Sequence, residues 1–106
     1  MSQWYDHISD TLAQDQTLTG IWATPDNVTH KLHSVLVSFI GTSIVGNVII
    51  KIDDAIIARH VVSPSDQLFF DPPYEFPRGT SLVVIATNTT NASAITDITI
   101  IGEQSS

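Results

Sequence analysis

Residues 46–62 read GNVIIKIDDAIIARHVV, and this stretch decides the fold class. Within residues 48–52, a valine and two isoleucines fall on one face of an extended chain. Asp53 and Asp54 stand where the two-residue turn of a hairpin belongs, and residues 56–62 are the returning strand. The stretch therefore predicts two antiparallel β-strands.

The rest of the chain has the same character. Isoleucine, valine and threonine number 14, 9 and 12, so a third of the 106 residues favour pleated sheet and an all-helical fold is excluded. Turn formers separate six or seven strands, and the connections are too short for the crossover helices of a parallel sheet. We predict a single antiparallel β-sandwich of jelly-roll type over residues 16–106, preceded by an N-terminal arm at 1–15. Besides the hairpin, the strand candidates are 17–23, 31–40, 80–87 and 93–101, with a short apolar piece at 68–70.

Several predicted strands are apolar on both faces, notably residues 34–40 and 82–86. A sandwich has one core face per sheet, so a second apolar face must be covered by another copy or by a partner. The Asp-Pro-Pro run at 71–73 is expected to lie outside any central strand, because proline donates no ladder hydrogen bond.

The N-terminal arm is acidic but contains aromatic and aliphatic residues. Trp4, Ile8 and Leu12 stand four apart, so a short amphipathic helix is possible. Trp and Tyr are common in interface hot spots. Together with Tyr5, these side chains are predicted to anchor the arm on a neighbouring molecule.

Two further sets of residues are candidates for contacts. Trp22, at the start of the sheet, fits core packing, with a role in partner binding as the alternative. Asp71, Tyr74 and Glu75 form a possible contact site in the proline-rich segment. There Tyr74 could provide a sugar-binding platform, or it could simply pack on Pro73 or on the sheet edge.

The charge balance excludes whole classes of partner. Eleven Asp and Glu against four Lys and Arg give a net charge of −7 and an isoelectric point near 4.5. Nucleic acids and anionic membranes are bound through Lys and Arg, so neither is expected as a partner. The chain has no cysteine and no apparent leader or membrane-spanning run, which favours assembly in a reducing cytoplasm.

No catalytic motif is present in the sequence. His30 and His33 stand three apart and would point to opposite faces of a strand, so they cannot chelate one ion together. His60 could approach either one only if the strand registers matched. Asp53 and Asp54 fit a solvated turn, and no Gly-x-Ser-x-Gly elbow or phosphate-binding glycine loop occurs. We expect no enzyme activity, no metal and no cofactor.

Three runs of sequence carry a family resemblance. KLHSVLVSF at 31–39, the hairpin at 46–62, and LFFDPPYEFPRGTSLVVIATNTTNASAITDITI at 68–100 resemble small tailed-phage virion β-sandwich proteins. The shared pattern is one of strands and turns over about two-thirds of the chain, without a catalytic motif. Residues 1–15 have no counterpart in it.

The resemblance implies a structural role in a virion. It suggests a capsid cement or decoration protein that self-associates, as a homotrimer, and binds the major capsid protein at the capsid surface after assembly in the host cytoplasm. The alternative is a carbohydrate- or receptor-binding module of a phage fibre or spike.

Overall fold

The computed structural model describes residues 2–41 and 45–105. Their regular structure consists of eight β-strands, and they include no helix with the length and apolar character needed to cross a membrane. The strands are β1 Ser2–Leu12, β2 Thr17–Ala23, β3 Thr29–Ile40, β4 Gly46–Ile52, β5 Ala55–Val62, β6 Ser65–Phe76, β7 Ser81–Asn88 and β8 Ala94–Ser105.

The strands form two antiparallel sheets of four. Sheet A has the order β1-β8-β3-β6, and sheet B has the order β2-β7-β4-β5. The chain passes from one sheet to the other at every connection except the β4–β5 hairpin. The predicted all-β sandwich is confirmed. The bounds of β2, β3, β5 and β7 lie within two residues of the predicted ones, and β2 coincides with the prediction.

The β4–β5 hairpin turns where the sequence predicts. Asp53 has a positive φ of 51°, a conformation that aspartate tolerates better than most residues. Its carboxylate accepts a hydrogen bond from the backbone N–H of Ser81 at 2.9 Å, and its own N–H donates to the Ser81 carbonyl at 2.8 Å. These two bonds hold the turn against the start of β7.

The predicted N-terminal arm is not confirmed, and the helix is wrong. Residues 2–12 form β1, which pairs with β8 over eleven residues without a register shift. A spacing of four residues places side chains on one face of a helix, but it also places them on one face of a strand. Trp4, Ile8 and Leu12 therefore all point from β1 toward sheet B, where apolar side chains on both sheets can be buried together.

Strand β6 is longer than the short apolar piece expected at 68–70. It runs through the prolines because it is the edge strand, where a missing N–H costs no ladder bond. The pairing passes from Leu32↔Tyr74 to Ser34↔Phe69, so residues 70–73 of β6 lie opposite His33 alone. The prolines thus occupy a large bulge.

The same place on β3 is irregular against β8. Leu32 pairs with Gly102 and Ser34 pairs with Ile101, which makes His33 an extra residue in β3. The inward-facing positions of β3 therefore change parity at His33, because side chains alternate along a strand. The core between the sheets consists of Trp4, Leu32, Val35, Val37, Phe39, Val48, Ile50, Val62, Phe76, Leu82, Val84, Ala86, Ala94, Ile98 and Ile100.

Glycine is required on β8 beside this bulge. A Cβ atom at Gly102 would collide with the Lys31 carbonyl oxygen and would lie 2.9 Å from the Trp4 ring. The first contact is with the backbone of a central strand, which cannot move aside without breaking the β3–β8 ladder.

Replacing Gly102 with alanine tests this requirement. We expect Gly102→Ala to lower the free energy of unfolding by at least about 2 kcal/mol, because overpacking against a fixed backbone displaces the paired strand. Urea denaturation followed by circular dichroism measures the change, with Ser105→Ala on the same strand as the control. Equal midpoints for Gly102→Ala and the wild type would contradict the steric argument.

Candidate functional site

The exposed apolar side chains lie on the outer faces of the two sheets. Five are on sheet A and three on sheet B, according to strand register and alternation. Exposed apolar groups on a sheet that already has a buried face mark contact surfaces. The eight are Tyr5, Leu36, Ile40, Phe69 and Ile95 on sheet A, and Ile21, Ile56 and Val61 on sheet B.

A groove lies on the outer face of sheet A beside the β6 bulge, between residues of β3, β6 and β8. The strand registers align Tyr5, Ile101, Ser34 and Phe69 in one row across all four strands. Phe69 is 72% exposed and Tyr5 is 56% exposed, whereas Ile101 is half-buried and Ser34 is buried. The two aromatic side chains thus stand at either end of the row, with a lower floor between them.

The bulge adds a wall and polar groups to this groove. Phe70, Asp71 and Pro73 line it on the β6 side, together with Gln67, whose amide donates to the Ser34 hydroxyl at 3.0 Å. Within the described residues, Asp71 forms no ion pair with a lysine or arginine. The groove therefore combines apolar walls with an unpaired carboxylate.

A second carboxylate lies next to the groove. Glu103 follows Ile101 at the next outward position of β8, and its Oε2 atom is 3.5 Å from Nε2 of His33. His33 itself lines the groove as the extra residue of β3. Glu103 therefore reaches the groove through its contact with His33.

Charge is distributed unevenly between the sheets. The strands of sheet A contain seven Asp and Glu residues and one lysine. The strands of sheet B contain no Asp or Glu, but they contain Lys51 and Arg59. The molecule thus has one acidic sheet and one basic sheet, although its net charge is −7.

The two cations of sheet B lie on its outer face among aliphatic side chains. Arg59 is exposed and pairs in register with Ile49, while half-buried Lys51 pairs with Ile56. In the part of the chain that the structure describes, neither cation lies within ion-pair distance of a carboxylate. Val61 lies on the same face and is 62% exposed. This face is therefore apolar and cationic.

Three histidines pair with carboxylates at the surface. His7 contacts Asp97 at 3.4 Å, and His33 contacts Glu103 at 3.5 Å. His60 and Asp66 form a third, shorter contact between the edge strands β5 and β6. Among the described residues, no three His, Cys, Asp or Glu side chains come together in a way that could hold a metal ion.

The fourth histidine belongs to a buried network. The Thr24 hydroxyl lies 3.1 Å from Nδ1 of His30, and the Gln104 Oε1 atom lies 2.9 Å from Nε2. A neutral imidazole protonated at Nε2 satisfies both partners. Trp4 stacks on the ring at 4.0 Å and 13°. Thr24 and His30 are each only 3% exposed, so this hydroxyl–imidazole pair is closed off from solvent.

The residues predicted to anchor an arm have different environments. Trp4 and Leu12 are buried in this chain at 9% and 3% exposure, so they are unavailable to a neighbour. Ile8 and Trp22 are half-buried against the core, which is the packing alternative considered for Trp22. Tyr5 alone points outward and remains a candidate contact residue.

The proline-rich segment is split between core and surface. Tyr74 is half-buried, and its ring packs against those of Phe76 and Phe70 with centroids 5.2 and 6.3 Å apart. Glu75 is exposed and lies opposite Lys31 in register. Asp71 lies in the groove. Phe69, Lys51 and Arg59 are not among the contact residues predicted from the sequence.

Comparison with known proteins gives structural similarity only. No protein-family model and no curated protein matches the chain. The chain is similar in structure to PliG from Aeromonas hydrophila, a periplasmic inhibitor of g-type lysozyme. The TM-score is 0.56 at 9% identity, over 93% of this chain and 86% of PliG. At this identity, the similarity shows the β-sandwich fold alone.

A second similarity is to a larger protein. The insecticidal delta-endotoxin Cry8Ea1 from Bacillus thuringiensis matches 88% of this chain with a TM-score of 0.51 and 8% identity. The matched part is 19% of the toxin chain. The fold described here therefore corresponds to one portion of that toxin.

These findings correct the functional prediction. A capsid cement protein, or a phage fibre module as its alternative, was expected from strand and turn patterns. The two similar structures named above are an inhibitor and a toxin, and neither is a virion protein. The pattern of strands and turns is common to β-sandwiches of different function, so it does not identify a virion role. The resemblance in sequence and the location at a capsid surface stay predictions.

Asp6 links the two sheets at the edge of the sandwich that β1 and β2 form. Its Oδ2 atom accepts a hydrogen bond from the Trp22 indole N–H at 2.7 Å, and Oδ1 accepts from the backbone N–H of His7 at 2.8 Å. Asp10 accepts similarly from Thr11 at 2.8 Å, so two carboxylates cover donors of this edge strand. The Trp22 bond, then the His7 bond, lower the pKa of Asp6 below its ordinary value of 3.8.

The lowered pKa of Asp6 predicts acid-sensitive stability. A carboxylate whose pKa is lower in the folded state contributes stability above its unfolded pKa of about 4, and that contribution is lost as the pH falls through the folded value. We expect the difference in Tm between wild type and Asp6→Asn to be steady above about pH 5 and to close toward pH 2. Thermal melts across this pH range measure the difference in Tm. Trp22→Phe, which removes the indole N–H that donates to Asp6, is the companion variant. A difference that persists unchanged at pH 2 would refute the assignment.

Proposed function

We propose that this protein is a non-catalytic protein-binding module whose groove on sheet A receives an arginine side chain of its partner. One observation carries the proposal: the 72% exposed Phe69 ring stands in an apolar groove beside Asp71, which has no cation within ion-pair distance in the described residues. A partner can bury this exposed phenylalanine ring and supply the cation that the neighbouring carboxylate lacks.

Arginine fits this chemistry better than other side chains. A guanidinium stacks on an aromatic face through its plane while its N–H groups donate to carboxylates at its edge. Phe69 provides the face, and Asp71 and nearby Glu103 provide the acceptors. The aliphatic part of the side chain can lie on Ile101, which is half-buried in the floor. The acidic strands of sheet A add long-range attraction.

Several observations support binding in place of catalysis. The hydroxyl–imidazole pair of Thr24 and His30 is buried. The surface histidines contact carboxylates on open strand faces. PliG, with a similar fold, is an inhibitor of an enzyme and so acts on another protein. The eight-strand order, with two four-stranded sheets and repeated crossing between them, also supports the jelly-roll type as part of the proposal.

A blocked tripeptide tests the groove. We expect acetyl-Gly-Arg-Gly-amide to bind saturably, with NMR shifts at Phe69, Asp71 and Ile101, and the citrulline peptide, which has the same shape without the charge, to bind at least about fivefold more weakly. Asp71→Asn and Phe69→Ser should each weaken arginine binding about fivefold or more, because each removes one of the two contacts.

The matched control is Asp54→Asn, which removes the same charge from the exposed β4–β5 turn. It should leave the arginine affinity within about twofold of wild type, since an exposed charge elsewhere is screened by solvent and salt. Equal weakening by Asp54→Asn and Asp71→Asn would show diffuse attraction to an acidic protein, and the groove would then be rejected as the site. Equal affinity for arginine and citrulline peptides would reject it too.

A further inference from the structure

We infer that the partner is a second copy of this chain, which docks head to tail with the outer face of its sheet B on the outer face of sheet A. This inference rests on the proposed arginine groove and names its occupant as Arg59. The two outer faces are complementary in charge. The outer face of sheet A carries Glu75, Asp97 and Glu103, with Asp71 in its groove, against one cation, Lys31. The outer face of sheet B carries Lys51 and Arg59, and the strands of sheet B contain no acid.

The two faces are also complementary in their apolar groups. Sheet B exposes Ile21, Ile56 and Val61 around its cations, and sheet A exposes Phe69 and Leu36 near its groove. Docking one face on the other removes both apolar sets from water, which is the main driving force for association. A hydrophobic centre with paired charges is the usual composition of a stable protein interface.

Arg59 is the cation best placed to enter the groove. It is exposed, it projects from the edge strand β5, and no carboxylate of its own chain lies within ion-pair distance among the described residues. The guanidinium would lie on Phe69 of the next copy and donate to Asp71. Lys51, half-buried on the neighbouring strand β4, would face the acidic strands of sheet A in the next copy.

A symmetric dimer of like faces is disfavoured by the same charges. Two copies of sheet B would bring four cations together with no acid on the strands of either copy, and two copies of sheet A would oppose two acidic outer faces. Head-to-tail contacts use two different surfaces on each copy. They therefore repeat, and they close into a ring or continue as a filament, depending on the rotation between copies.

Two variants that each block one face test this arrangement. Arg59→Glu blocks sheet B, and Phe69→Asp blocks sheet A; both side chains are exposed, so circular dichroism and thermal melts should show a folded protein. Light scattering and sedimentation should show oligomers for the wild type at high micromolar concentration and monomers for each variant alone. An equimolar mixture of the two should give a heterodimer, because one intact face of each kind remains. Asn91→Asp, an added charge in the β7–β8 loop, should assemble as wild type does.

Other outcomes overturn the inference. A wild type that stays monomeric up to about 1 mM would exclude self-docking, because its dissociation constant would then be weaker than that of most functional interfaces. Dimers of Phe69→Asp alone would show that sheet B pairs with itself, and a mixture that stays monomeric would show that the two faces do not meet. In each case, saturable binding of the arginine tripeptide would still support the groove as an arginine site. Loss of self-association and loss of the proposed function are therefore separate results.

Discussion

The extra residue in β3 is the constraint on which the rest of the structure depends. Without it, side chains would alternate in one phase along the strand, and either the Leu32 end or the Val35 end would face water. The bulge at His33 turns both ends inward. It fits because β8 has Gly102 at the point of closest approach. A core that spans both halves of the sandwich is the direct result.

The same irregularity creates the groove. In the pairing with β8, the extra residue places both His33 and Ser34 toward the outer face. In the pairing with β6, it leaves room for the bulge at residues 70–73. That bulge raises Asp71 beside the exposed Phe69 ring. A packing requirement of the interior and a binding surface on the exterior thus have one structural cause. Bulges at sheet edges commonly redirect side chains in this way.

Acidic and basic side chains are separated between the two sheets, so the strands of the two sheets differ in the sign of their charge. A net charge of −7 suggests a uniformly acidic surface, but the acids on strands all belong to sheet A, and sheet B has only cations. This separation was readable from the sequence once the strands were assigned to sheets, since the four strands of sheet B contain no Asp or Glu. The assignment itself depends on long-range pairing. β2, for example, pairs with β7, whose paired residues lie 58 to 70 positions away along the chain, and local patterns do not specify this pairing.

Sequence alone determined the all-β class, the β4–β5 hairpin and most strand positions, because alternation and turn residues act over a few neighbours. That residues 2–12 are a strand depends on long-range pairing, since the spacing of Trp4, Ile8 and Leu12 fits a helix or a strand equally well until β8 provides a pairing edge. The tertiary structure also decided that Trp4 is core while Phe69 is surface. Both are aromatic residues, and the difference between them is register, which is fixed by contacts between distant strands.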